Sequence, residues 1–94
     1  MKVTVRLPGA LRELASGQRA VDVEIGEPAT VGTLLDAMAS SWPAVERRIR
    51  DETGTLRPHV NVFVGELNVR DLGGQAAALT DGAEVHVIPS ISGG

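Results

Sequence analysis

Between Val31 and Trp42 the apolar side chains Val31, Leu34, Leu35, Met38, Ala39 and Trp42 recur at i, i+3, i+4, i+7, i+8 and i+11. An α-helix turns once in about 3.6 residues, so this spacing gathers them on one face. Thr30, immediately before the stripe, suits a helix N-cap, and Pro43 disfavours helical geometry at Trp42. The helix is therefore predicted to stop near Trp42. Gly32 lowers helix propensity slightly without breaking the pattern. Met38 and Trp42 are expected in the core. One stripe about three turns long cannot bury itself, so it requires a second apolar surface from the rest of the chain.

Strands supply that surface. Val3, Val5 and Leu7 alternate with Lys2, Thr4 and Arg6, and Pro8-Gly9 ends the run. Residues 10–15 read as one helical turn or a wide loop. Val21, Val23 and Ile25 alternate with Ala20, Asp22 and Glu24. Val60, Val62 and Val64 form a third strand, with Asn61 and Phe63 on its other side. Gly65-Glu66 turns into a short strand over 67–70, residues 71–74 read as loop, and residues 75–79 read as a helical turn. Asp81-Gly82 is a tight-turn signal before a last strand over 84–88. Pro43 to Ile49 reads as a second short helix with Val45 and Ile49 inward. Glu46, Arg47, Arg48, Arg50, Asp51 and Glu52 are then expected to form a solvated face.

Two strands, a helix and further strands predict an α+β domain, a mixed sheet packed against one main helix. A right-handed crossover makes the first strand parallel to a later one. That is the β-grasp arrangement. Residues 1–94 read as a single domain with a tail over 89–94.

Composition narrows the function. The 94-residue chain carries a net charge of −3, which argues against a general nucleic-acid binder. It has no cysteine, so disulfides, thiolate metal sites and cysteine nucleophiles are excluded. No stretch approaches the roughly twenty apolar residues that span a bilayer, and a cytoplasmic protein is expected. His59 and His86 lie in different strands and lack the close helical spacing of a zinc pair. No serine–histidine–carboxylate set or phosphate loop is evident. No catalytic residue, metal site or bound cofactor is therefore expected.

The end of the chain stands out against this. Pro89 has no backbone N–H and is expected to stop strand pairing. Ser90, Ile91, Ser92, Gly93 and Gly94 follow. Extended, the six residues from Pro89 reach about 20 Å. Glycine at the last two positions removes Cβ atoms that would obstruct a narrow channel and leaves the acyl carbon of Gly94 unhindered.

Residues 79–89, a short spacer and Gly93-Gly94 resemble the ubiquitin-like sulfur carriers. This family includes the small subunit of molybdopterin synthase, the thiamine-pathway carrier and the carrier of the thiocarboxylate route to cysteine. The resemblance covers essentially the whole chain. His59 to Val64, with Asn68-Val69-Arg70 and Gly73-Gly74 behind it, looks most like the cysteine-pathway carrier.

The resemblance implies that an E1-like enzyme uses ATP and magnesium to adenylate the Gly94 carboxylate. Sulfur transfer then gives a thiocarboxylate, which a partner synthase consumes. In the cysteine route that synthase uses pyridoxal phosphate, and a metalloprotease frees the product from the tail. Gly93, Ser92 and Ile91 are the residues for tail recognition. Ile91 either anchors in a partner's groove or folds back on the domain. Phe63, His86 and Ile88 lie opposite the inward valines and form a candidate docking face; the ordinary alternative for His86 is a sheet-surface histidine. Two further readings remain open: a protein modifier joined to lysines through Gly94, and a noncovalent β-grasp binding module.

Overall fold

The computed structural model describes residues 1–89. Five strands form one mixed sheet: β1 (Lys2–Arg6), β2 (Ala20–Glu24), β3 (Val60–Val64), β4 (Leu67–Asn68) and β5 (Glu84–Pro89). Their order is β2-β1-β5-β3-β4. β1 pairs antiparallel with β2 and parallel with β5, and β5 pairs antiparallel with β3. The parallel pair of first and last strands at the centre is the β-grasp topology the sequence predicts. Among the described residues three α-helices accompany the sheet, α1 (Gly9–Arg12), α2 (Val31–Ser41) and α3 (Pro43–Ile49).

The alternating valines all turn to one face. Val3, Val5, Val21, Val23, Val62, Val85 and Val87 are each at most 4% exposed. They close against Val31, Leu34, Leu35 and Met38 of α2 and Val45 and Ile49 of α3, none more than 1% exposed. Each such side chain contributes on the order of 1.5–3 kcal/mol by leaving water. The core is almost wholly aliphatic, with the half-buried Trp42 packed at its margin.

The start of α2 is built by two threonines. Thr30 Oγ1 accepts from Thr33 N at 3.1 Å, and Thr33 Oγ1 accepts from Thr30 N at 2.9 Å. Both ends of this reciprocal cap satisfy backbone donors that the first helical turn leaves free. At the far end Trp42 leaves helical geometry before Pro43 begins α3.

Several local readings change; His59, for one, lies in the turn before β3 and not in a strand. Ala39 is exposed; it sits about 80° around the axis from Val31, at the edge of the stripe. β4 ends at Asn68, whose Oδ1 accepts from Arg70 N at 2.9 Å and starts a 3₁₀ turn at Val69. Glu46 and Arg50 are not on a solvated face: they are 8% and 7% exposed. They neutralise each other, and Gln75 and Asp36 take up the remaining guanidinium nitrogens.

Pro89, finally, does not stop the pairing. It closes β5 opposite Val60. The register of β1 against β5 runs out at Arg6 and His86, so beyond His86 one side of β5 is an edge. A residue without a donor is tolerated there.

Candidate functional site

The residues expected to carry the chemistry, Gly94 with Gly93, Ser92 and Ile91, lie outside the described residues. The structure shows the platform from which they depart. β5 runs through the centre of the sheet, between β1 and β3, and delivers the chain past the end of β1.

The three docking candidates come together on the outer face of the sheet. His86 is in register with Phe63 of β3 on one side and Arg6 of β1 on the other. Ile88, one pleat further along β5, is opposite Asn61 and 48% exposed. A branched aliphatic side chain half in water beside a partly exposed phenyl ring is a small apolar spot on an otherwise polar face.

Charges border this spot. Arg6 Nε donates to Glu84 Oε1 at 2.7 Å, and His86 Nε2 lies 3.4 Å from the same oxygen. The hydrogen bond and charge of Arg6 hold the Glu84 carboxyl below its ordinary value, with His86 adding to the effect. On the neighbouring strands Thr4 Oγ1 donates to Asp22 Oδ1 at 2.7 Å.

Two clefts flank the exit of β5 and share Pro8 and Val87. One is lined by Ala10, Leu11, Arg48, His59, Val60 and Pro89, the other by Arg6, Leu7, Arg12, Arg19, His86 and Ile88. His59 and His86 are thus on different clefts. No group of three or more His, Asp or Glu side chains among the described residues is arranged to hold a metal ion. Arg12 and Arg19 line one of these clefts and Arg48 the other, so the end of β5 has arginines on both. The sequence carries no signal for this, because it depends on how residues 7–19 fold against α3.

The whole length bears on what the platform is for. The family model described as the ThiS family matches residues 5–94, nearly all of the chain. The chain belongs to the ThiS family. Its similarity to individual members spans full lengths. It is 33% identical over 96 residues to the sulfur carrier protein CysO of Mycobacterium tuberculosis, covering all of both chains. It is also 33% identical over 94 residues to small archaeal modifier protein 3 of Haloferax volcanii, again covering all of both. Among solved structures, it matches the Amycolatopsis orientalis BexX/CysO complex with a TM-score of 0.84 and 32% identity. That match covers 98% of this chain and 99% of the other.

This ThiS-family chain is therefore a ubiquitin-like β-grasp protein of the sulfur-carrier group. Relatives of this fold include a carrier solved in complex with another protein. No helix among the described residues is long and apolar enough to cross a membrane.

Proposed function

We propose that this protein is a sulfur carrier whose working group is the Gly94 carboxylate, serving cysteine or a related sulfur metabolite. The observation that supports it most is the full-length similarity to CysO, together with a central last strand that runs on past the end of β1.

The chemistry follows from what a carboxylate lacks. Its charge is delocalised and its oxygens leave badly, so it is a poor acyl donor. A carboxylate oxygen of Gly94 attacks the α-phosphorus of ATP on an E1-like enzyme, with magnesium on the phosphates, and pyrophosphate leaves. Sulfide then attacks the acyl carbon and AMP leaves, giving the thiocarboxylate. The sulfur stays anionic near neutral pH and nucleophilic, ready for a synthase, in this reading one that uses pyridoxal phosphate. A metalloprotease then frees the product. The carrier supplies no acid, base or metal of its own. It supplies a rigid body to recognise and an unhindered acyl carbon.

The test is intact mass after incubation with ATP, magnesium, sulfide and the cognate activating enzyme. Replacement of one carboxylate oxygen by sulfur is expected in the full chain and absent after deletion of Gly93-Gly94. An unchanged mass with an activating enzyme proven on another carrier rejects the reading.

A second reading is favoured by the equal identity to an archaeal modifier protein. In it the adenylated Gly94 is passed to a lysine amine. Peptides from cell extracts carrying a Gly94 isopeptide bond are its signature. The chain's single lysine, Lys2, limits only chain-building on itself.

A further inference from the structure

The charge of this protein is unevenly spread. The chain as a whole is acidic, with twelve Asp and Glu against nine Lys and Arg. Yet the two clefts beside the exit of β5 are lined by Arg6, Arg12, Arg19, Arg48, His59 and His86, and by no Asp or Glu. Arg6 is neutralised by Glu84. Among the described residues Arg12, Arg19 and Arg48 form no salt bridge, although Arg12 is steadied by a hydrogen bond from its Nε to Leu7 O at 3.2 Å. Arg19 and Arg48 are exposed.

From this we infer that the arginine-lined clefts are an interaction surface for a carboxylate-bearing segment of the activating enzyme, which docks beside the root of the tail. The inference rests on the sulfur-carrier reading and adds a second contact to the apolar spot at Phe63, His86 and Ile88. Charge complementarity selects the occupant. These three guanidinium groups form no salt bridge among the described residues and line clefts that hold no carboxylate, on a molecule whose net charge is negative, so they favour an acidic group here. Position adds to it: Arg48 shares one cleft with Pro89, and Arg12 and Arg19 share the other with Ile88, so the arginines border the last described residues of β5. Arginine suits the task, since its planar fork binds a carboxylate through two parallel hydrogen bonds.

The test is steady-state ATP–pyrophosphate exchange by the cognate activating enzyme, with the full-length carrier as varied substrate. Arg19→Glu/Arg48→Glu is expected to raise KM for the carrier by about tenfold or more at low salt while leaving kcat unchanged. The wild-type KM rises with ionic strength, and that rise flattens in the variant. Arg47→Glu is the control: it makes an exposed charge reversal on the same helix, α3, but lines neither cleft. It is expected to leave KM within about twofold of wild type, the size of a nonspecific change in net charge. Thermal melts of all three proteins should coincide.

A wild-type KM in the cleft variant, or an equal rise in Arg47→Glu, overturns the inference while leaving the carrier reading intact. No exchange with wild-type protein rejects both. Titration of the carrier alone with ATP separates the other occupant. Saturable binding that Arg19→Glu/Arg48→Glu abolishes, with an unchanged KM for the enzyme, makes the clefts a nucleotide site and also overturns the inference.

Discussion

Arg50 and Glu46 are joined inside the protein: Arg50 Nε donates to Glu46 Oε2 at 2.7 Å, and each residue is less than a tenth exposed. The same guanidinium donates through Nη1 to Gln75 Oε1 at 3.0 Å and reaches Asp36 Oδ1 at 3.0 Å through Nη2. Gln75 Nε2 in turn donates to Gly54 O at 2.8 Å. One side chain thereby ties α2, α3, the loop after α3 and the 3₁₀ turn at Gly74–Ala76. Among the described residues no buried side-chain nitrogen or oxygen lacks a partner.

Breaking this pair from one side should be far worse than removing it whole. Arg50→Ala leaves Glu46 as a lone buried carboxylate and is expected to cost about 3–5 kcal/mol. Arg50→Met with Glu46→Leu leaves no such charge. Asp36, whose side chain is 71% exposed, simply returns to water. The double variant should therefore be more stable than Arg50→Ala. Urea unfolding with an unchanged m-value measures both. Equal losses would show that packing, not the stranded charge, sets the cost.

Acid should weaken the contact between β1 and β5. Arg6 holds the Glu84 carboxyl below its ordinary value of 4.5. The unfolded chain then binds the proton more tightly than the folded one. The stability that the pair adds is complete above the unfolded value and is lost as pH falls through the depressed folded value. Melting temperatures of wild type and Glu84→Gln should differ by a constant amount near neutrality and converge below pH 4.5. Asp51 should behave alike from its own ordinary value of 3.8. Its carboxylate is held down first by the hydroxyl of Thr53, at 2.6 Å, and then by the backbone N–H of Thr55.

The apolar spot on the sheet should matter more for docking than for folding. Ile88 is 48% exposed, so Ile88→Asp gives up only about half of a full isoleucine burial, on the order of 1 kcal/mol. On the sulfur-carrier reading it should weaken the encounter with the activating enzyme by about 1–2 kcal/mol, roughly five- to thirtyfold in KM. Exchange kinetics read the KM, and a thermal melt shows whether the fold is intact. A normal KM would assign the docking to another face.

The architecture was legible because its signals are local. Alternating valines at 3 and 5, 21 and 23, and 60 and 62 need only neighbours to be read, as does the stripe from Val31 to Met38. Thr30 was legible as a cap, but its partner Thr33 was not, since threonine rarely stands where a capping box has Glu or Gln. The buried Arg50–Glu46 pair was misread for a different reason. Two charges four apart on a helix look the same in solvent or under a turn that arrives from 25 residues downstream. The place of Pro89 also depended on a distant fact, the point at which β1 runs out beside β5. Of the candidate site, Phe63, His86 and Ile88 followed from the pleat. The arginine-lined clefts did not, because three separate segments make them. Gly94, Gly93, Ser92 and Ile91 lie outside the described residues.

Gly32 sets helix propensity against packing in a way one substitution resolves. Alanine is worth up to about 1 kcal/mol over glycine inside a helix, and Gly32, the second residue of α2, can expect only part of that gain. A Cβ there, however, would come within 3.3 Å of Gln75 O and 3.5 Å of Gln75 Cβ. The neighbour must yield by a few tenths of an ångström, and Gln75 is held at both ends of its amide, by Arg50 and by Gly54 O. Gly32→Ala should therefore fail to stabilise and should lower the melting temperature. Ser40→Ala, exposed on the same helix, should raise it by the propensity gain alone. Releasing the neighbour tests the cause: in a Gln75→Ala background the turn loses its ties to Arg50 and Gly54 O, so Gly32→Ala should cost less there than in the wild type. If the cost is the same in both backgrounds, the held turn is not what makes position 32 a glycine.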